Sequence, residues 1–210
     1  MDRIDELIER YPVLAPIEGD IRDAADAIIE SYENGGKLLL CGNGGSYADC
    51  EHMAGELMKG FVKQRPLPEE VREMLKNADP VRGAVLAEKL QCGFPAIVLA
   101  DHQGLGTAYA NDIDAEYAYA QALLCYAQDS DVFLGISTSG NSRNVMHAAV
   151  AARAAGLIVI GLTGRGGGEL AKYADFAMIV PEDETFKIQE LHLPIYHAIC
   201  LMIEDVFFEE

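Results

Sequence analysis

The chain has 210 residues, 50% of them hydrophobic, and 16 Lys and Arg against 34 Asp and Glu give a formal charge of −18. That length suits one domain of about 150–200 residues with extensions and a sizeable core. The charge opposes nucleic acid and anionic membranes, and no apolar run approaches the roughly 18 residues of a membrane span, so a soluble cytoplasmic protein is expected. Met1-Asp2-Arg3-Ile4-Asp5-Glu6 is charged where a signal peptide turns apolar. The five cysteines are odd in number and scattered, with no C-x-x-C, which argues against a disulfide framework or zinc ribbon and predicts buried thiols.

In chain order, Ile17, Ile21, Ala24, Ala25, Ile28 and Ile29 predict a long amphipathic helix ended by Gly35-Gly36. Short apolar runs follow at Leu38–Cys41, Ala96–Ala100, Val132–Ile136, Leu157–Leu162 and Phe176–Val180, most of them separated by helix-length segments. This is the α/β pattern of a parallel sheet covered on both faces. The stretch Val62–Gly93 breaks the alternation with three prolines and many charges, yet Val71, Met74 and Leu75, then Ala84, Leu86, Ala87 and Leu90, keep helical spacing. It is predicted to be a helical excursion on the surface. Thr185–Asp205 predicts a closing helix with Ile188, Leu191, Ile195, Ile199 and Met202 on one side, and Pro194 should kink it unless packing compensates.

Two loops carry chemistry. Gly135-Ile136-Ser137-Thr138-Ser139-Gly140-Asn141-Ser142 sets hydroxyls and a glycine between a strand and the helix expected from Asn144. Hydroxyls and free N–H groups at a helix N-terminus bind a phosphate without needing a lysine; the competing reading is a Ser-rich helix cap. Cys41-Gly42-Asn43-Gly44-Gly45-Ser46 follows the first strand and lacks both G-x-G-x-x-G and G-K-[ST], which disfavours any nucleotide cofactor. In a doubly wound sheet both loops lie at the carboxyl edge. The helix after the glycine loop carries His52 and Glu56 on one face, at i and i+4. Gln189 and His197 of the closing helix fall within about 80° of each other around its axis. A carboxylate, an imidazole and an amide beside a phosphate cradle point to proton transfer, against the alternative of solvated and structural side chains.

These segments in order, together with Asn111-Asp112, Leu162-Thr163-Gly164 and Ile188-Gln189-Glu190-x-His192, resemble the phosphoheptose isomerase group of the sugar isomerase (SIS) domain family. The likeness spans about residues 37–204, apart from the unmatched 62–93 insertion. It implies one SIS domain over 1–210, with an N-terminal helical extension over about 1–35. The implied architecture is a doubly wound, flavodoxin-like five-stranded parallel sheet with long N- and C-terminal helices. It also implies a homotetramer with active sites at subunit interfaces, and isomerisation of sedoheptulose 7-phosphate or a related ketose phosphate through an enediol. By the same likeness Ser137, Thr138, Ser139 and Ser142 hold the phosphate, and Asn43, Gly44, Gly45, Ser46, Asn111, Asp112 and Gln189 contact substrate. Glu56 is the implied base and His197 the acid. Some members bind zinc through the positions of His52, Glu56, Gln189 and His197.

Three departures stand out. Gly60 occupies the place of a common substrate-reaching arginine, with Lys59, Lys63 and Arg65 as nearby replacements; the 62–93 insertion enters beside it; and Phe186, just before Lys187-Ile188-Gln189 where an acidic or small residue is usual, is expected to make the site more apolar. The alternatives to an isomerase are a non-catalytic sugar-phosphate sensor or tetrameric adaptor on the same domain, and a group-transferring enzyme, which would need a second catalytic domain.

Overall fold

The computed structural model describes residues 2–208, so residues 1, 209 and 210 of the expected 1–210 domain lie outside it. Helix α1 (Arg3–Arg10) opens with a capping box between Asp2 and Asp5, and a 3-10 turn over Pro12–Ile17 leads into α2 (Glu18–Glu33). Helix α2 buries Ile21, Ala24, Ala25 and Ile28, the face its spacing predicts.

The body then alternates. Strand β1 (Leu38–Cys41) is followed by α3 (Gly45–Met58), α4 (Glu69–Ala78) and α5 (Arg82–Lys89), and β2 (Ala96–Val98) by α6 (Gln103–Asp112) and α7 (Ala118–Tyr126). After them come β3 (Val132–Ser137), α8 (Arg143–Ala154), β4 (Ile158–Thr163), α9 (Gly168–Tyr173), β5 (Phe176–Ile179) and α10 (Thr185–Phe207). The second strand is shorter than its apolar run because Leu99–Asp101 curls into a 3-10 turn.

All five strands pair in parallel in the order β2-β1-β3-β4-β5, the doubly wound arrangement. Side chains alternate between two cores. Leu38, Leu40, Leu134, Ile136, Ile160 and Leu162 face α1, α2, α3 and α10, while Leu39, Cys41, Phe133 and Val159 face α7, α8 and α9. Burial on both faces is why these strands read as unbroken apolar runs. Helix α10 is one continuous element through Pro194, which is itself buried, so packing offsets the lost backbone bond.

The 62–93 insertion is a helical hairpin. Helices α4 and α5 cross so closely at Gly83 that a Cβ there would lie 1.8 Å from the Leu75 carbonyl oxygen, and a Pro66–Gln91 bridge closes the base. Its root is tied to α10 by a buried ion pair, Arg65 Nε donating to Glu204 at 2.8 Å with both side chains fully buried. Cys41, Cys50 and Cys200 are buried as expected, but Cys92 is half-buried and Cys125 exposed, because α7 turns Cys125 away from the sheet. Among the described residues no helix is long and apolar enough to cross a membrane.

His192 sits wholly inside the core, where Nε2 meets the Thr163 carbonyl at 3.2 Å, and burial pushes its pKa down to about 4 from 6.5. The unfolded chain therefore binds a proton over a range in which the native state does not, so stability falls as pH drops below about 6.5. Between about pH 6.5 and pH 5 His192 alone is expected to remove about 1.5 kcal/mol. Urea unfolding at both pH values checks this: His192→Gln should lose less stability than the wild type on acidification, and equal losses would exclude the assignment.

Candidate active site

The strand order reverses between β1 and β3, and chains leaving adjacent strands in opposite directions open a crevice at their carboxyl ends. Both chemistry-bearing loops lie there. The Asn43 and Asn144 amides donate to each other, each at 2.8 Å, and lock the β1 loop to the start of α8. The Tyr119 hydroxyl stands 3.1 Å from both the Gly42 carbonyl and Asn43 Oδ1 and shares its one proton between these two acceptors. Neither Asn144 nor Tyr119 is foreseen from the sequence; an amide two places beyond the serine loop is the only signal for the first.

The serine loop is a tight turn. Gly140 N–H donates to the Ser137 carbonyl at 2.9 Å, and Gly140 itself has φ +63°. A Cβ there would lie 1.8 Å from the Gly167 carbonyl oxygen, so this position takes only glycine. The hydroxyls of Ser137 and Ser142 meet at 3.0 Å, and Ser142, although the N-cap of α8, makes no side-chain capping bond. The capping alternative is therefore not what this hydroxyl does. Thr138 offers its carbonyl to Gly164 N–H at 3.2 Å, and the Ser139 hydroxyl accepts from Asn141 N–H at 3.2 Å. Arg143, 73% exposed by side chain and paired with Glu116 at 2.8 Å, is a cation at the first residue of α8.

Gly44 caps the N-terminus of α3 with φ +56°, and Gly45 begins the helix. Gln189 of α10 lies directly on it: a Cβ at Gly45 would be 2.4 Å from Gln189 Nε2. Ser46 is buried, packed beneath Gly42. Asn111 and Asp112 stand exposed at the end of α6, hydrogen-bonded to each other at 2.7 Å, and among the described residues no hydrogen bond joins them to the two loops.

The second cluster lies deeper along α3 and α10. His52 Nε2 is 3.3 Å from Glu56 Oε1, and the His52 and His197 rings meet edge-on with centroids 4.9 Å apart. Lys59 donates to Glu56 Oε2 at 2.5 Å. Burial, then the neighbouring His52, lowers the His197 pKa, with Glu56 opposing, so the ring is neutral at neutral pH. Its Nε2 is buried without a hydrogen-bond partner. Gln189 is a full eight residues, about 12 Å, up the helix from His197. Two imidazoles, a carboxylate and an amide oxygen are donors zinc accepts, and the orphaned His197 Nε2 is an atom an ion would satisfy. Among the described residues no three His, Cys, Asp or Glu side chains yet converge in a metal cluster.

The departures near Gly60 have physical causes. A Cβ at Gly60 would lie 2.4 Å from the Lys63 carbonyl, so the insertion's first turn excludes any side chain there. Arg65 cannot replace it. Its guanidinium is sandwiched 5.1 Å from each of the Phe94 and Phe208 rings and bonds Leu57 and Glu204. Lys63 is held by Asp205 and the Phe208 carbonyl, which leaves Lys59, on Glu56, as the cation of the site.

A doubly wound sheet with a hydroxyl-lined loop at its switch point defines a SIS domain, and a SIS domain family model matches residues 2–91 and 80–164. Among curated proteins, the phosphoheptose isomerase of Helicobacter hepaticus is 41% identical over 88% of this chain and 81% of its own length. That of Aneurinibacillus thermoaerophilus is 37% identical over 90% and 82%. The solved phosphoheptose isomerase of Neisseria gonorrhoeae superposes with a TM-score of 0.72 at 30% identity, covering 96% of this chain and 91% of that one. The chain belongs to the SIS domain family, in its phosphoheptose isomerase group, and is an enzyme of the isomerase class.

Proposed function

We propose that this enzyme interconverts an aldose and a ketose phosphate through an enediol, with sedoheptulose 7-phosphate or a closely related ketose phosphate as substrate. The observation that carries this reading is the path between the two clusters. Helices α3 and α10 run side by side, Gly45 against Gln189 at one end and His52 against Tyr196 and His197 farther along. Glu56 is eleven residues beyond Gly45, about 16 Å along the axis, and helical side chains lean back toward the N-terminus. A phosphate held by Ser137, Thr138, Ser139 and Ser142 would therefore lie toward the opposite end of α3 from Glu56, an arrangement that suits an extended sugar phosphate lying between them.

In this reading Glu56 takes the proton from the carbon next to the carbonyl and returns it to the neighbouring carbon, while neutral His197 serves the oxygens. Gln189 and Asn43 bind hydroxyls along the path, and Asn111 and Asp112 approach from α6. Should zinc occupy His52, Glu56, Gln189 and His197, it would supply Lewis-acid polarisation of the sugar oxygens. Phe186 and Leu193, 55% and 40% exposed, flank the Gln189–His197 face of α10. Apolar surface at the rim of a site supports a homotetramer with the sites at its interfaces.

The test is a turnover screen of ketose phosphates of five to seven carbons, with and without zinc, on protein whose mass is read by light scattering. Seven-carbon turnover by an assembly of four 22.8 kDa chains is expected. Tight binding with no turnover would replace the isomerase reading by the sensor reading, and a monomer mass would remove the tetramer.

A further inference from the structure

Proton abstraction at the Glu56 end of the site leaves negative charge on the sugar that the groups described above do not answer. When Glu56 takes the carbon-bound proton, the C–H electron pair becomes the new C=C bond and the carbonyl pair moves onto its oxygen, so charge passes from the carboxylate to a sugar oxygen. His197 is neutral, and Lys59 is paired with Glu56. A second cation reaches this end from outside α3.

Arg3 Nε donates to Asp205 at 2.6 Å, and Arg10, the last residue of α1, lines one cleft with Leu193 and His197 of α10. Helix α1 therefore runs alongside α10 in the opposite direction, and its end falls level with His197. Leu193 and His197, four and eight residues beyond Gln189, are turned from it by only about 40° and 80°, so the cleft opens on the face of α10 that carries the site. The charge of Arg10 is close enough to His197 to join burial and His52 in lowering its pKa. Of the three arginines before β1, Arg3 is bonded to Asp205, and Arg22 lies 2.7, 2.7 and 2.8 Å from Asp2, Asp5 and Glu18. Arg10 has only Glu6 at 3.9 Å, the outer limit of an ion pair, and the Tyr11 ring at 5.5 Å, with its side chain 62% exposed. An exposed pair of that length contributes almost nothing to stability, so the fold does not account for this guanidinium.

We propose that Arg10 is a catalytic residue of this site, its guanidinium donating to the sugar oxygens on which the enediolate charge develops, beside His197. A guanidinium keeps its charge at any working pH, and its planar fork of N–H donors matches two neighbouring oxygens, the pair that an enediolate presents. Phe61, whose ring lies 5.4 Å from that of His197, gives this end of the site an apolar wall. The assignment rests on the isomerase reading.

The experiment compares Arg10→Ala, Arg10→Lys and Glu6→Gln with the wild type as full-length protein. In Arg10→Ala kcat should fall about a hundredfold, the usual loss for one oxyanion donor, while Tm stays within about 2 °C because the side chain is exposed. Added guanidinium ion should raise the activity of Arg10→Ala about fivefold or more, and urea, its neutral counterpart, should not. Arg10→Lys, which keeps the charge and loses the fork, should recover only part of kcat. Glu6→Gln should keep wild-type kcat, which separates a role in the site from the pair with Glu6. By calorimetry, Arg10→Ala should bind inorganic phosphate within about twofold of the wild type, and a phosphorylated sugar hydroxamate, which copies the planar enediolate, about tenfold more weakly or worse. Near-normal kcat in Arg10→Ala, an equal loss in Glu6→Gln, no response to guanidinium ion, or unchanged hydroxamate affinity overturns the proposal. A wild type that turns over no phosphosugar removes the isomerase reading instead, and the hydroxamate comparison then decides: a weaker complex in Arg10→Ala keeps Arg10 as the contact to the sugar oxygens, and an equal one overturns it.

Discussion

Glu56→Gln is expected to lower kcat about a thousandfold, some 4 kcal/mol of barrier, because removing a positioned general base costs about a hundred- to ten-thousandfold. The exchange keeps size and leaves an amide oxygen for Lys59, whose 2.5 Å bond to Glu56 Oε2 can persist in weakened form. The cradle lies at the other end of α3, so phosphate affinity should stay within about twofold, the signature of an interaction made only in the transition state. Ser139→Ala should do the reverse, raising KM with kcat little changed. His197→Asn should resemble Glu56→Gln. Steady-state kinetics and phosphate binding by calorimetry separate these outcomes, and near-normal turnover in Glu56→Gln would remove it from the mechanism.

The largest loss of stability is expected from Glu204→Ala. The Glu204 carboxylate accepts from the backbone N–H groups of Phe61, Val62 and Lys63 at 2.9, 2.9 and 3.1 Å, and from Arg65 Nε at 2.8 Å. Truncation strands four donors and a buried guanidinium, and breaking one side of a buried pair costs about 3–5 kcal/mol. At about 2–4 °C per kcal/mol for a chain of this size, Tm should drop by roughly 10 °C or more. Arg65 also bonds the carbonyls of Leu57 and Glu56, so the end of α3 that presents the base should loosen and kcat fall as well. Replacing both partners by apolar residues of similar volume, Arg65→Met with Glu204→Leu, should recover much of the stability, since the uncompensated charge is gone. Thermal unfolding of the two variants checks this, and a double variant no more stable than Glu204→Ala would mean that the backbone donors, not the charge, dominate.

The apolar runs and their helix-length spacing were sufficient to determine an α/β sheet buried on both faces, because burial on two sides leaves no room for polar alternation. The serine loop and glycine loop were legible for a similar local reason: a helix start that binds an anion needs hydroxyls and close backbone within a few residues. So was the pairing of His52 with Glu56, since helical periodicity alone puts i and i+4 on one face.

What lies between elements distant in the chain was decided only by the tertiary structure. Sequence distance says nothing about which side chains meet when β1 and β3 become neighbours, so the Asn43–Asn144 lock, 101 residues apart, was not legible. Nor was Gln189 resting on Gly45, or Tyr196 standing between Asp49 and His52, because each depends on how α10 lies along α3. The same reason explains Arg65. By composition it reads as a free cation near the site, and only the fold shows that two phenylalanine rings and a buried carboxylate have already claimed it.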